Sequence, residues 1–274
     1  MITRLLIALG NEVRKGMRFA WSERLQILVE LPMFGAFIVL LGPLLGHGRQ
    51  IVSGGVEWSL DSATTSIMVV WFVPFTFFYM QVVKMFWRLL SEIQAGTIEQ
   101  VYLSPLPSWL VAAAGRVVAA LVETMFVAAG TYAIVSAFVP IRLNWNAAAL
   151  LPAVMVMVAG VGVSLIVAGA TLVWKRIQLV NDAVLLMVML FSASAVPLID
   201  VPGWWATASH YFPLTDAVGS LYKAMLTDQS VTAPWGLGGL VPLLVVPIGY
   251  LAAGILAFNL GESVAKRRGT LGRY

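Results

Sequence analysis

Apolar residues along the chain form six continuous blocks of about 20 residues, separated by shorter polar stretches. At 1.5 Å of rise per residue, a helix of this length crosses the roughly 30 Å hydrocarbon core of a bilayer. The blocks do not alternate between apolar and polar positions, so the pattern favours helices over a transmembrane barrel. The predicted spans are residues 25–45, 62–83, 109–138, 148–174, 180–199 and 237–260.

The first 24 residues are too polar to be a span, but they have helical periodicity. Leu5, Leu9 and Val13 recur on the face opposite Arg14 and Arg18. The polar residues also interrupt the apolar core that a cleavable signal peptide requires. We therefore expect residues 1–24 to form an amphipathic interfacial helix that stays attached.

Composition supports the same fold class, because 60% of the residues are hydrophobic and only 11% are charged. A soluble domain of 274 residues could not bury so much apolar surface. Residues 1–274 are therefore predicted to be one all-α integral membrane domain. Cysteine is absent, and His47 and His210 are interpreted as solvated loop residues, so we expect no metal site.

The distribution of positive charge predicts how the chain lies in the membrane. If both termini are cytoplasmic, 13 of the 17 Lys and Arg residues lie on the cytoplasmic side. This orientation predicts a multi-pass protein of the cytoplasmic (inner) membrane. The basic residues cluster at the ends of apolar spans, where membrane lipid explains them, and nucleic acid is not an expected partner.

One further segment is too apolar for a simple loop. Residues 200–236, on the predicted outer side, are rich in aromatic residues, which predicts re-entrant or interfacial helices before the last span. Small residues at four-residue steps indicate close helix packing. They are Gly160, Ser164 and Ala168 in the fourth span, and Gly249, Ala253, Ala257 and Gly261 in the last.

The third span contains two charged residues, Arg116 and Glu123. They are seven residues apart and share one face of the helix. Charges inside a membrane usually face a bundle interior or a water-filled path. A structural ion pair or capping role and a mechanistic role both remain open.

The second span is unusually aromatic, and it supplies the candidate substrate path. Trp71, Phe75 and Phe78 lie on one face at helical spacing, and Tyr79 lies on a second aromatic face. Such stripes are more often packing than ligand contacts. A role in lining a path for part of this set is the alternative.

The connection between the second and third spans, residues 84–108, is polar and is not a simple turn. Ile98, Val101 and Tyr102 fit a short amphipathic helix that ends before Pro105, since the residue before a proline resists helical geometry. We interpret it as a cytoplasmic docking helix.

The spacing E-x-x-x-G-T-x-E-x-x-x-x-S-P within this connection, together with the six spans and the basic amino-terminal helix, resembles the ABC-2-type permeases of ATP-driven exporters. The resemblance implies a coupling helix that seats in a groove of a P-loop ATPase subunit, and a second permease copy or paralogue. The residues that inherit the coupling role by position are Glu92, Gly96, Thr97, Glu99, Ser104 and Pro105.

No lysine in the chain stands in the G-K-S/T context of a phosphate-binding loop, so the chain cannot hydrolyse ATP as a P-loop enzyme. We expect a transport subunit that is not itself an enzyme. ATP and magnesium would bind at the partner ATPase, and no cofactor is expected on this chain. The predicted function is export of an amphipathic or hydrophobic substrate, such as a drug, a lipid or a lipid-linked saccharide. The alternative is an ion- or proton-coupled secondary transporter that uses Glu123 and Arg116.

Overall fold

The computed structural model describes residues 2–46, 62–96, 107–174, 177–197, 201–227, 234–236 and 238–269. All regular secondary structure in these ranges is helical, as predicted. A short 3-10 turn, Ala147–Ala149, precedes the fifth α-helix. The α-helices are α1 (Ile2–Ser22), α2 (Arg24–Gly46), α3 (Ser62–Gln94), α4 (Ser108–Phe138), α5 (Leu150–Val173), α6 (Gln178–Ala193), α7 (Gly203–Ser209), α8 (Thr215–Leu226) and α9 (Leu240–Arg268).

Helices lie over all six apolar blocks of the sequence. Four of the described helices are long and apolar enough to cross a membrane: α3, α4, α5 with its 3-10 turn, and α9. The apolar helix α6 has only 16 residues. The chain is therefore an all-α membrane protein, while the number of six spans stays a prediction.

Helix α3 is longer than the span that the sequence predicts. Its 33 residues correspond to about 50 Å, well beyond the thickness of the hydrocarbon core. Residues 84–94, which we expected in the cytoplasmic loop, continue the helix. The helix ends where Gly96 takes a positive φ of 68°, a conformation that glycine adopts without steric cost.

The bundle has two chemically distinct ends. We call the end that carries α1 and the last turns of α3 and α9 the basic end, and the opposite end the distal end. At the basic end the hydroxyl of Ser108, at the start of α4, donates to Glu262 near the end of α9. Glu262 also pairs with Lys266 one turn later.

Helices α5 and α9 run in the same direction and pack backbone to backbone through glycines. A Cβ atom on Gly254 would lie 2.2 Å from the carbonyl oxygen of Gly162, and one on Gly261 would lie 2.2 Å from that of Gly169. We call these four residues the glycine contact. The sequence predicted close packing on both helices and identified Gly261 at this contact. Gly160 packs closely on α3, whereas a Cβ at Gly249 has no atom within 4 Å, so the predicted seam of α9 does not extend to that residue.

Two short helices, α7 and α8, form within the segment 200–236, in agreement with the expected helical character of that segment. The Asp216 carboxylate, in the first turn of α8, accepts the N–H of Gly238 at 3.0 Å and lies 3.0 Å from the His210 ring. These contacts fasten α8 to the residues that lead into α9. His210 is therefore paired and partly buried, which corrects its interpretation as a solvated loop residue.

Candidate functional site

Three charged residues project from one face of α3 near the basic end. Lys84, Arg88 and Glu92 are spaced by four residues, so they line up along the helix. Each is at most 9% exposed. Buried charges in a membrane protein are costly unless they are paired, so their partners determine what this face can do.

The first set of partners consists of two carboxylates, one on each side of Lys84 and Arg88. Arg88 donates from Nη2 to Glu123 at 2.7 Å and to Glu23 at 2.9 Å. Lys84 lies 2.6 Å from Glu23 and 3.6 Å from Glu123. The two positive and two negative charges therefore neutralise each other. This includes the charge of Glu123, which has no solvent exposure.

Glu23 lies between α1 and α2, outside the predicted spans. The pKa of its carboxyl group follows from its two basic partners. Burial alone would raise the pKa of its carboxyl group. The hydrogen bonds and charges of Lys84 and Arg88 outweigh burial and hold the pKa below its ordinary value. The ionised carboxylate is thus part of the folded arrangement.

The second set of partners surrounds Glu92. Arg116 of α4 donates to Glu92 Oε2 at 2.8 Å, and Lys15 of α1 lies 3.1 Å from Oε1. Helix α1 also packs directly on α4, where a Cβ on Gly16 would lie 1.9 Å from the carbonyl oxygen of Gly115. Glu92 therefore joins α1, α3 and α4 at the point where α3 approaches the predicted coupling segment.

The seven residues form two ion-pair networks that follow each other along one face of α3, and we call them together the charge cluster. Its members are Lys15, Glu23, Lys84, Arg88, Glu92, Arg116 and Glu123. Because α3 and α4 run in opposite directions, Glu92 near the end of α3 meets Arg116 near the start of α4. Farther from the basic end, Lys84 and Arg88 meet Glu123.

Both intramembrane charges singled out from the sequence belong to this cluster, and each pairs with a residue of α3. Arg116 pairs with Glu92, and Glu123 pairs with Arg88. Sequence reasoning treated Lys84 and Arg88 only as cytoplasmic charges. Their four-residue spacing with Glu92 was the signal that could have identified them.

The residues with a predicted coupling role divide between the charge cluster and the undescribed connection. Glu92 is buried in the cluster, and Gly96 ends α3. Thr97, Glu99, Ser104 and Pro105 lie outside the described residues. Their role, like that of Glu92 and Gly96, stays a prediction.

The four aromatic residues of the candidate path lie on α3 among protein contacts. Trp71, Phe75 and Phe78 are buried, and the indole N–H of Trp71 donates to Ser192 of α6 at 3.1 Å. The Tyr79 ring stands edge-on to Phe34 of α2. These contacts describe packing between α2, α3 and α6, and the path role stays a prediction.

Within the described residues, no group of three His, Cys, Asp or Glu side chains is arranged to hold a metal ion. Comparison with known proteins gives one finding: a family model described as "ABC-2 type transporter" matches residues 26–226. No curated protein matches the chain. The matched range runs from the third residue of α2 to the end of α8 and includes all members of the charge cluster except Lys15 and Glu23.

Proposed function

The chain belongs to the ABC-2 type transporter family, and we propose from this that it is the permease subunit of an ATP-driven exporter in the cytoplasmic membrane. Family membership makes it a multi-pass membrane permease component. The proposal adds a separate P-loop ATPase subunit, which would bind ATP and magnesium, and a second permease copy or paralogue. It places both termini in the cytoplasm and gives the complex an amphipathic or hydrophobic substrate.

The observation that carries the proposal is the position of Glu92. It lies two residues before the end of α3 at Gln94 and is tied to α1 by Lys15 and to α4 by Arg116. A displacement of the connection after Gly96 would therefore move three helices together. This is the mechanical linkage that a permease without its own ATP site requires.

In this mechanism, closure of the ATPase subunits pushes on residues 97–106, and Glu92 passes the motion to the bundle. Glu92 acts as a positioning residue, because its carboxylate is engaged by Arg116 and Lys15 inside the chain. Thr97, Glu99, Ser104 and Pro105 are proposed to contact the ATPase. The charges of the cluster exchange partners as the helices rock, so the pairs can be remade without leaving a charge unpaired.

The experiment is copurification. The tagged chain is solubilised gently from its host's membranes, and the proteins recovered in stoichiometric amount are identified. We expect a P-loop ATPase whose recovery is lost in Glu99→Arg, because the substitution reverses a charge in the coupling segment. Asn144→Arg is the matched control, since the exposed Asn144 follows α4 at the distal end.

Two outcomes would contradict the proposal. An ATPase-free preparation that still transports along an ion gradient would favour the secondary transporter that uses Glu123 and Arg116. Equal loss of the ATPase in Glu99→Arg and Asn144→Arg would count against the coupling segment as the docking site.

A further inference from the structure

A cavity of about 690 Å³ lies between α3, α4, α5 and α8 in the distal half of the bundle. It is lined by the first half of α3, the second half of α4 and the start of α5. Its size lies within the roughly 300–1,000 Å³ typical of small-molecule sites. It is separate from the charge cluster and from the aromatic residues of the candidate path.

The roof of this cavity is a built feature of the fold. Residues 139–146 run across its distal end, and hydrogen bonds fix them at several points, including one from the Ser62 hydroxyl to the Pro140 carbonyl. The N–H of Arg142 donates to the Ser66 hydroxyl of α3 at 3.0 Å, and the N–H of Asn144 donates to the Met225 carbonyl of α8 at 2.8 Å. These bonds hold Trp145 and α8 over the cavity.

The chemistry of the lining is almost entirely apolar, with Val73, Phe77 and Val156 among its walls. Thr124 is an exception: it lines the cavity, it is 6% exposed, and its hydroxyl has no hydrogen-bond partner in the structure. A buried hydroxyl without a partner is unfavourable, and it can both donate and accept. Because the oxygen itself has almost no accessible surface, a ligand in the cavity bonds to it only after the Thr124 side chain turns toward the cavity.

The mouth of the cavity faces outward from the chain. Met125 is 70% exposed and Trp145 is 77% exposed, and both belong to the lining. Tryptophan favours the boundary between headgroups and hydrocarbon, so its position fits a mouth near the outer interface of the membrane. A molecule dissolved in the distal leaflet would reach the cavity from the side.

We propose that this cavity binds the hydrophobic part of an amphipathic molecule, with the Thr124 hydroxyl as its hydrogen-bonding partner. The molecule is either a resident membrane lipid or the exported substrate on its way out. The exported substrate as the bound molecule rests on the proposed function, whereas the cavity as a binding site does not.

The test uses the full chain, with its partners, in phosphatidylcholine and phosphatidylglycerol vesicles. The probe is a long-chain fatty alcohol with a diazirine midway along its chain, which combines one hydrocarbon chain with one hydroxyl. After illumination, labelled peptides are identified by mass spectrometry. We expect labels on the cavity-lining segments of α3, α4 and α5.

Two substitutions test the site: one fills the cavity and the other removes the hydroxyl. Ala128→Phe fills the cavity and should abolish this labelling, while Ala252→Phe on the exposed face of α9 should not change it. Thr124→Val keeps the shape but removes the hydroxyl, and it should lower labelling by about two- to tenfold, as expected for one hydrogen bond. Labels spread evenly over all exposed helices, or equal labelling in Ala128→Phe and Ala252→Phe, would overturn the proposal.

Repeating the labelling during ATP turnover distinguishes a resident membrane lipid from an exported substrate. A resident lipid leaves the labelling unchanged, whereas a substrate-exit site changes its occupancy as the transporter cycles, and both results support the cavity as a site. Labelling needs no ATPase. Absence of specific labelling would therefore contradict the binding site without affecting the exporter proposal. Absence of a copurified ATPase would contradict the exporter proposal alone.

Discussion

Two helix pairs in this molecule are held together in opposite ways. Helices α5 and α9 meet at the glycine contact, where backbone touches backbone and no side chain intervenes. Helices α3 and α4 meet through the charge cluster, where Arg88 bonds to two carboxylates and Glu92 to two cations. The first pair has one arrangement that fits, whereas long charged side chains can exchange partners while the helices shift. We infer that α5 and α9 move as one rigid unit, whereas the charge cluster couples α3 to α1 and α4 and adjusts its ion pairs as these helices move.

The largest effect is expected at the glycine contact. Gly254→Leu places a side chain where even a Cβ would lie 2.2 Å from the Gly162 carbonyl oxygen, and backbone cannot move aside as a side chain does. The cost should exceed the roughly 1–3 kcal/mol of ordinary overpacking, so folded protein should be lost. Fluorescence-detected size-exclusion chromatography of the solubilised membranes measures it.

Gly249→Leu is the matched control for that substitution. It lies on the same helix, and no atom lies within 4 Å of a Cβ built at this position. We expect it to give the abundance and elution profile of the unaltered protein. Similar losses from Gly249→Leu and Gly254→Leu would mean that bulk anywhere on α9 is harmful and that the contact is not special.

The next effect concerns the charge cluster. Glu123→Gln removes the fully buried carboxylate that Arg88 and Lys84 share, and breaking a buried pair of this kind costs about 3–5 kcal/mol. We expect a clear fall in the melting temperature in detergent. Lys266→Ala removes one half of an exposed pair one turn apart, worth about 0.3–0.5 kcal/mol, and it should barely move the transition. Equal shifts would show that burial does not distinguish the two pairs.

A smaller and pH-dependent effect is expected at Glu23, whose side chain is 27% exposed. Its pKa is held below its ordinary value, so its ion pairs stabilise the fold above pH 4.5, and this contribution is lost as the pH falls through the folded-state pKa. The melting temperature of Glu23→Gln should be lower than that of the unaltered chain at pH 7. The gap should close below pH 4.5, and a gap that stays constant with pH would contradict the assignment.

The sequence predicts the helices well because the length of an apolar block is a local property. Helix α3 is the exception at its inner end: its last turns are polar, and the sequence therefore assigns residues 84–94 to a loop. They remain helical because Lys84, Arg88 and Glu92 are paired with groups on α1, α4 and the α1–α2 junction. Polarity alone does not reveal such partners.

The candidate site was only partly predictable for the same reason. Arg116 and Glu123 stand out because each interrupts an apolar span, which is visible in one segment of sequence. Their partners depend on which helices become neighbours, and Glu123 and its partner Arg88 are 35 residues apart in the chain. Small residues occur on more than one face of α5. Which of these faces forms the close contact likewise depends on which face meets α9.

The central claim is that Glu92 passes motion from the coupling segment to α1 and α4. The most direct measurement is the ATPase rate of the purified complex in lipid nanodiscs for the unaltered chain, for Glu92→Gln, and for the exchanged pair Glu92→Arg with Arg116→Glu. The account predicts that all three retain the ATPase subunit, that Glu92→Gln lowers the hydrolysis rate, and that the exchanged pair restores part of it. Equal rates in all three complexes, or no ATPase in any of them, would contradict it.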